Sequence, residues 1–252
     1  MAKNVRKNIL ITGASSGIGA GLARQFAASG HNLALCARRI ERLDELKKEL
    51  NDRYPMVTVS VRVLDVNDYP QVFEVFEAFA AEFGRLDRII INAGVGNGRR
   101  IGKGNFEINR QTAETNFIAG LAQCEAAVAI FRRQNAGHLV TMSSMSALRG
   151  LPAHLSAYAA SKAALSHLTE GIRAELLNTP IKVTTILPGY IRTELNAGAK
   201  KLPFEVSEEV GSCAIARAIE REPATACVPA WPWAAMSILI KHLPLRWVSK
   251  LG

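Results

Sequence analysis

Tyr158 and Lys162 stand four residues apart at the start of a stretch, residues 157–177, whose apolar spacing predicts a helix. Four residues is about one turn, so both side chains share a face. A tyrosine ordinarily titrates near ~10, too high for efficient proton transfer at neutral pH, and a nearby ammonium favours its phenolate. Ser143 and Ser144 follow a predicted strand at residues 138–142. In an open α/β sheet, ligands gather beyond the carboxyl ends of the strands. A hydroxyl there can donate to a substrate carbonyl and stabilise charge developing on its oxygen. Together these residues suit proton exchange with an oxygen atom held by a hydroxyl. Alone, a Tyr-x-x-x-Lys pair is common, and its plain reading is an exposed helix pair; its weight comes from its surroundings.

A second constellation lies at the amino end. A short apolar strand, residues 8–12, runs into Thr12-Gly13-Ala14-Ser15-Ser16-Gly17-Ile18-Gly19, and a helix follows at residues 17–29. Small residues let backbone come close to a pyrophosphate, and a helix N-terminus offers it free N–H groups and partial positive charge. The spacing is G-x-x-x-G-x-G rather than G-x-G-x-x-G, and a tight turn is the plain alternative. The next strand, residues 32–37, ends at Ala37 and is followed by Arg38 and Arg39. An acidic residue here would bind a ribose 2′-hydroxyl. A guanidinium instead grips a 2′-phosphate, so the pattern predicts NADP(H) rather than NAD(H), with Arg38 as the principal contact. Solvated charges at a helix start are the plain alternative.

The elements that must position these groups alternate from end to end. Further strands are predicted at residues 57–64, 86–91, 181–187 and 225–228, and helices at 41–50, 72–83, 110–133 and 207–220. Repeated βα units with short apolar strands imply α/β architecture: one doubly wound Rossmann domain, a parallel seven-stranded sheet with helices on both faces. Residues 1–230 form this dinucleotide-binding and catalytic domain. Residues 231–252 form an apolar, basic tail packed on it or extending from it.

Composition narrows the function classes. The 252 residues carry a formal charge of +9, but the basic residues are scattered and not interleaved with aromatics, which argues against nucleic acid. The four cysteines lack paired spacing and the five histidines include no H-E-x-x-H, so neither a disulfide framework nor a metal site is expected. The amino end lacks a signal-peptide core. The expected location is the cytoplasm, with membrane association through the tail as an addition.

Read in order, T-G-x-x-x-G-x-G, Asn92-Ala93-Gly94, Asn116, Ser144, Tyr158-x-x-x-Lys162 and Pro188-Gly189 with Thr193 resemble the short-chain dehydrogenase/reductase family over about residues 7–229. The resemblance implies a hydride-transferring oxidoreductase. Tyr158 would exchange the proton. Lys162 would hold the nicotinamide ribose and tune Tyr158, Ser144 would polarise the carbonyl, and Asn116 would hold a water linking Lys162 to solvent. Gly13, Ser15, Ser16, Gly17, Ile18 and Gly19 would line the pyrophosphate, Asp65 and Val66 the adenine, and Asn92, Ala93 and Gly94 the adenosine side. Pro188, Gly189, Ile191 and Thr193 would border the nicotinamide and its carboxamide.

Two positions depart from the family. Ile91 stands where a second Asn is frequent; it should face the sheet, with little effect. Ser144 and Tyr158 are fourteen apart, one more than usual, with the extra residue near Ala153-His154. That spacing leaves Ser143, Ser144 and Ser146 as alternatives for the polarising hydroxyl. Ser144 is preferred as lying nearest the strand end.

Residues 95–103, 145–155 and 190–204 should wall the substrate site. Met145, Ala147, Leu148, Leu151 and Leu155 make the middle wall apolar and favour a hydrophobic carbonyl compound or its secondary alcohol. Arg99, Arg100 and Lys103 could meet an anionic group, though solvated loop charges are the plainer reading. The resemblance implies a homodimer or homotetramer paired through helices 110–133 and 157–177, with Ala119, Gly120, Ala160, Ala163 and Ala164 allowing close approach. The tail has two readings: packing over the cleft or an interface with its Trp rings buried, or lying on a membrane surface. The rival functional classes are a non-catalytic NADP(H)-binding sensor or scaffold on the same fold and an epimerase or dehydratase of the family's extended branch. The intact Ser, Tyr, Lys and Asn set argues against the first, and the chain has no room for the second's substrate domain.

Overall fold

The computed structural model describes residues 6–194, 198 and 202–249. Strands β1 (Asn8–Thr12), β2 (Asn32–Ala37), β3 (Val59–Val63), β4 (Arg88–Ile91), β5 (Gly137–Met142), β6 (Ile181–Pro188) and β7 (Thr225–Val228) form one parallel sheet in the order β3-β2-β1-β4-β5-β6-β7. The chain order reverses between β1 and β4, and such a switch point opens a crevice beyond the strand ends.

Side chains alternate along each strand, so each sheet face collects its own core. Ile9, Ile11, Leu33, Leu35, Val140 and Ile186 pack on one face against Leu22 and Phe26 of α1 (Gly17–Ala28), Leu43 of α2 (Ile40–Arg53) and Ile215 of α7 (Glu208–Glu220). Leu10, Ala34, Ile89, Ile91 and Leu139 pack on the other against Phe76 and Phe79 of α3 (Tyr69–Phe83) and Ile130 and Phe131 of α5 (Ala119–Gln134). Helix α6 (Ser156–Glu175) covers this second face through Leu168 and Ile172. Ile91 thus sits in the core, as its position in the strand suggests. Helix ends follow local chemistry: Asp68 caps α3 by accepting from the Gln71 N–H (3.1 Å), and Gly84 ends it with φ +72°, a conformation that favours glycine.

The predicted helix at 110–133 is not continuous. Helix α4 (Phe106–Ala113) begins earlier, and one wide π-helical turn, Glu114–Ile118, joins it to α5. Such a turn adds a residue to the spiral and re-aims the side chains inside it. Asn116 lies within it and is almost wholly buried.

At the amino ends of the strands, away from the crevice, lies a buried charge network. Arg88 on β4 is 1 % exposed. Its Nε–H donates to His138 Nδ1 on β5 (2.9 Å), its Nη1 pairs with Glu220, and its Nη2 lies 3.5 Å from Glu222. Arg6 Nε donates to Glu222 (2.8 Å). The network ties the carboxyl end of α7 to the middle of the sheet.

The tail folds back on the domain. Helices α8 (Ala230–His242) and α9 (Leu245–Val248) follow β7, and Trp233 is buried with Met145 and Leu187. Among the described residues, no helix is long and apolar enough to cross a membrane.

Candidate active site

The crevice forms where β1, β4, β5 and β6 end. Ser143 is the first residue beyond β5, so nearness to the strand end points to Ser143, not Ser144. Side-chain direction reverses that choice. Ser143 Oγ donates to the Lys162 carbonyl (2.9 Å) and accepts from Ser166 Oγ (2.7 Å), so it is committed to holding α6. Ser144 Oγ accepts from the Ser146 N–H (3.1 Å) and hydrogen-bonds the Tyr158 hydroxyl. The serine beside the tyrosine is Ser144. The extra residue in the intervening loop is taken up by the 3-10 turn Ala153–Leu155, where Ala153 has φ +59°. The His154 carbonyl there packs so closely on Gly98 that a Cβ on Gly98 would overlap it.

Lys162 lies one turn beyond Tyr158 on α6 and is 6 % exposed. Its ammonium donates to the Met142 carbonyl at the end of β5 (2.9 Å). Burial lowers its pKa to about 8. The expected lowering of the tyrosine pKa is not seen in this arrangement: loss of solvent around the Tyr158 hydroxyl raises it, and the Ser144 hydrogen bond offsets only part of that rise. Asn116 Oδ1 accepts from the Val95 N–H (2.8 Å), and its Nδ2 donates to the Val95 carbonyl (2.9 Å) and Ser161 Oγ (3.1 Å). Gly94 faces both groups: a Cβ there would lie 2.9 Å from Asn116 Oδ1 and 3.2 Å from Lys162 Nζ. Ser144, Tyr158, Lys162 and Asn116 therefore converge, carried by β5, α6 and the π turn.

The glycine loop makes a cradle that larger residues would fill. Gly13 has φ +64°, and a Cβ on it would sit 2.9 Å from Ala93 Cα. A Cβ on Gly17 would meet Thr193 at 3.3 Å, which brings the Thr193 segment across the start of α1. Ser16, the residue before α1, does not cap it with its side chain. The first N–H groups of that helix thus keep their capacity for an anion beside Gly17, Ile18 and Gly19. Asn92 steadies the loop: its Nδ2 donates to the Thr12 carbonyl (2.9 Å) and Gly13 carbonyl (3.3 Å). Asp65 Oδ1 accepts from the Asn67 N–H (3.0 Å) in a local turn, and Val66 is buried.

At the end of β2 the two arginines differ in their contacts. Arg38 is exposed, whereas Arg39 reaches back to Ser16 Oγ (2.7 Å) and Ser15 Oγ (3.2 Å). Arg42, which sequence reasoning missed, approaches the same region and pairs with Glu194 (2.6 Å), as Arg39 does at 3.4 Å. Its signal was its place in the first turn of α2, which directly follows Arg38 and Arg39. A basic cluster beside a glycine cradle and a free helix start fits a phosphorylated dinucleotide.

Beyond β6, Gly189 N–H donates to the Val228 carbonyl (2.8 Å), and the Trp233 indole packs directly on Gly189. Ile191 is buried. Tyr190 and Phe204 meet the Trp233 ring edge-on, with centroids 5.2 and 6.4 Å away. The tail therefore packs over the cleft wall formed by Met145 and Leu187, but of its three Trp rings only Trp233 is buried. Part of the third predicted wall, residues 195–197 and 199–201, lies outside the described residues. Arg99, Arg100 and Lys103 are exposed on the 95–103 loop.

The sequence profile of the short chain dehydrogenases matches residues 7–202. An uncharacterized oxidoreductase of Mycobacterium tuberculosis is 49% identical over 241 residues, covering 96% of this chain and 95% of that one. An uncharacterized oxidoreductase of Myxococcus xanthus is 35% identical, covering 97% and 95%. A short-chain dehydrogenase from Sphingobium yanoikuyae, solved in complex with NADPH, superposes with a TM-score of 0.81 at 29% identity, covering 92% of this chain and 91% of that one. The chain belongs to the short-chain dehydrogenase/reductase family of oxidoreductases.

Proposed function

We propose that this chain is an NADP(H)-dependent oxidoreductase acting between a carbonyl group and the matching secondary alcohol of a hydrophobic substrate. The observation that carries the reading is the Ser144–Tyr158 hydroxyl pair beside buried Lys162 at the mouth of the sheet. When bound, the nicotinamide would supply or accept the hydride. The remaining chemistry falls to the chain's own side chains. Ser144 donates to the substrate oxygen and holds it against Tyr158. Tyr158 gives that oxygen a proton in reduction and removes one in oxidation. Burial keeps the phenol protonated at neutral pH, the form reduction uses. Lys162 and Tyr158 would hold the nicotinamide ribose. Asn116 fixes the Val95 backbone beside them and would hold the water of a proton path. Gly13 to Gly19 would receive the pyrophosphate, Asp65 and Val66 the adenine, and Asn92, Ala93 and Gly94 the adenosine side. Pro188, Gly189, Ile191 and Thr193 would border the carboxamide. Met145, Leu148 and Tyr190 supply apolar surface for the substrate. The test is loss of the reduced-nicotinamide absorbance when the protein meets NADPH and a panel of hydrophobic ketones and aldehydes. Binding of NADPH without turnover of any of them would favour the sensor reading.

Arg38 and Arg39 select the phosphorylated cofactor in this reading. Replacing both with Gln is expected to lower the NADPH-to-NADH ratio of kcat/KM about tenfold or more, the cost of a lost charge-assisted phosphate contact. Steady-state kinetics with each cofactor measures it, and an unchanged ratio removes these residues from cofactor choice.

We also place the protein in the cytoplasm as a homodimer or homotetramer paired through α5 and α6. Ala160 on α6 and Ile118 in the π turn just before α5 are exposed. Ala119 and Gly120 are buried, and a Cβ on Gly120 would lie 3.1 Å from Leu165 of α6, so Gly120 lets α5 approach α6 within one subunit. Sedimentation at micromolar concentration is expected to give at least the dimer mass; a monomer would refute the pairing.

A further inference from the structure

Large apolar side chains left in water gather on the outside of the C-terminal segment. Trp231 is 81 % exposed, Ile238 67 %, Leu239 55 %, Leu245 71 % and Trp247 56 %. The helix that carries most of this face is well anchored: on its other side Trp233, Met236 and Ile240 pack with Met145 and Leu187, and Arg149 Nη2 donates to the Leu243 carbonyl (3.2 Å). The exposed face is therefore held outward by the fold. Packing over the cleft accounts for Trp233 and leaves the Trp231 ring exposed.

Charge identifies what this face fits. From Pro223 to the end of the sequence there is no Asp or Glu, while Lys241, Arg246 and Lys250 are basic. Lys241 and Arg246 are exposed among the apolar residues. A two-fold pairing of this face with its copy would bring like charges together with no carboxylate on the segment to meet them. An anionic bilayer meets both demands, since it takes apolar side chains below its headgroups and basic ones among them. Trp231 and Trp247 lie at opposite ends of the segment, and indole rings favour the membrane–water interface. The backbone of Trp231 is non-helical, so the continuous part of α8 is residues 232–242, and these eleven residues extend only about 16 Å, short of a ~30 Å hydrocarbon core, so the helix would lie along the surface.

We infer that the outer face of α8 and α9 is a docking surface for anionic lipid bilayers. Flotation of the whole protein with vesicles tests it. Vesicles of phosphatidylcholine with about one third phosphatidylglycerol are expected to carry the protein upward at low salt, less so as salt rises, and phosphatidylcholine alone much less. The exposed pair Ile238→Glu, Leu239→Glu is expected to weaken vesicle partitioning at least about tenfold. Thermal melting and NADPH binding of that variant should match the wild type, which separates the docking claim from the catalytic one. Absence of flotation at low salt overturns the inference. So does flotation that the pair of substitutions leaves intact, because another surface then binds. A fall in sedimenting mass caused by the same pair, without any vesicle binding by the wild type, assigns the face to a second copy and also overturns it.

Discussion

Tyr158→Phe is expected to lower kcat at least ~10²-fold while leaving NADPH affinity within about twofold. The variant deletes one oxygen and keeps the ring, so the packing at the start of α6 survives. What disappears is the group proposed as proton donor, which is also the partner of Ser144. No neighbour can stand in for it. Ser143 is tied to α6 on both its donor and acceptor sides, and Lys162 points its ammonium at the Met142 carbonyl. A hydroxyl of serine has far too high a pKa to replace the phenol as an acid near neutral pH. Ser144→Ala should also slow turnover, yet it leaves the proton donor in place; the two losses should not add, because both act on the same substrate oxygen. Single-turnover absorbance with a substrate found in the carbonyl screen measures the effect. Turnover by the Phe variant at the wild-type rate would show that another group moves the proton.

Much of this site can be read from the sequence because its chemistry depends on local spacing. Tyr158 and Lys162 share one helix turn, and Gly13, Gly17 and Gly19 share one strand-to-helix turn, so each set is defined within a few residues. The strands are legible for a related reason: β4 and β5 are short apolar runs buried on both sides. Legibility fails where a position depends on contacts distant in sequence. The apolar pattern of residues 110–133 continues through the π turn, so nothing in it marks the extra residue that aims Asn116 inward. The sequence preference for Ser144 agrees with the structure, but its ground does not: the choice over Ser143 rests on side-chain direction, not on nearness to the strand end. Trp233 is 44 residues beyond Gly189, and only the fold lays its indole there. Arg39 illustrates an intermediate case: its position at the end of β2 was visible, its reach to Ser15 and Ser16 was not.

The charge network under the sheet was hidden most completely, since it joins residues 50 and 132 positions apart, and it predicts a steep acid response. His138 is fully buried, and its two nitrogens are spoken for in a way that requires the neutral ring. Arg88 Nε–H donates to Nδ1 (2.9 Å), so Nδ1 carries no proton. Nε2 then bears the hydrogen and donates to Thr184 Oγ1 (2.9 Å), which itself donates to the Pro223 carbonyl (2.6 Å). Protonating Nδ1 would set a cation against Arg88 and break that bond. Glu222 lies 3.6 Å away and would welcome the charge, but it is already shared with Arg6 and Arg88. Burial first, then Arg88 and Arg6, hold the His138 pKa well below its ordinary value. In the unfolded chain the same ring takes a proton near pH ~6.5. Between those two values the unfolded state binds the extra proton, so stability rises with pH there. This contribution is complete above about pH 6.5 and is lost as pH falls, at up to about 1.4 kcal/mol per pH unit. Urea unfolding midpoints measured from pH 8 to pH 5 should therefore stay level above about 6.5 and drop below it. His138→Asn keeps an acceptor near Arg88 Nε and removes the titration. That variant is expected to be less stable at every pH because the ring is lost, yet to show a flatter slope between about pH 6.5 and 5. A slope equal to that of the wild type would mean that other groups govern the acid response and that His138 takes up its proton without unfolding the chain.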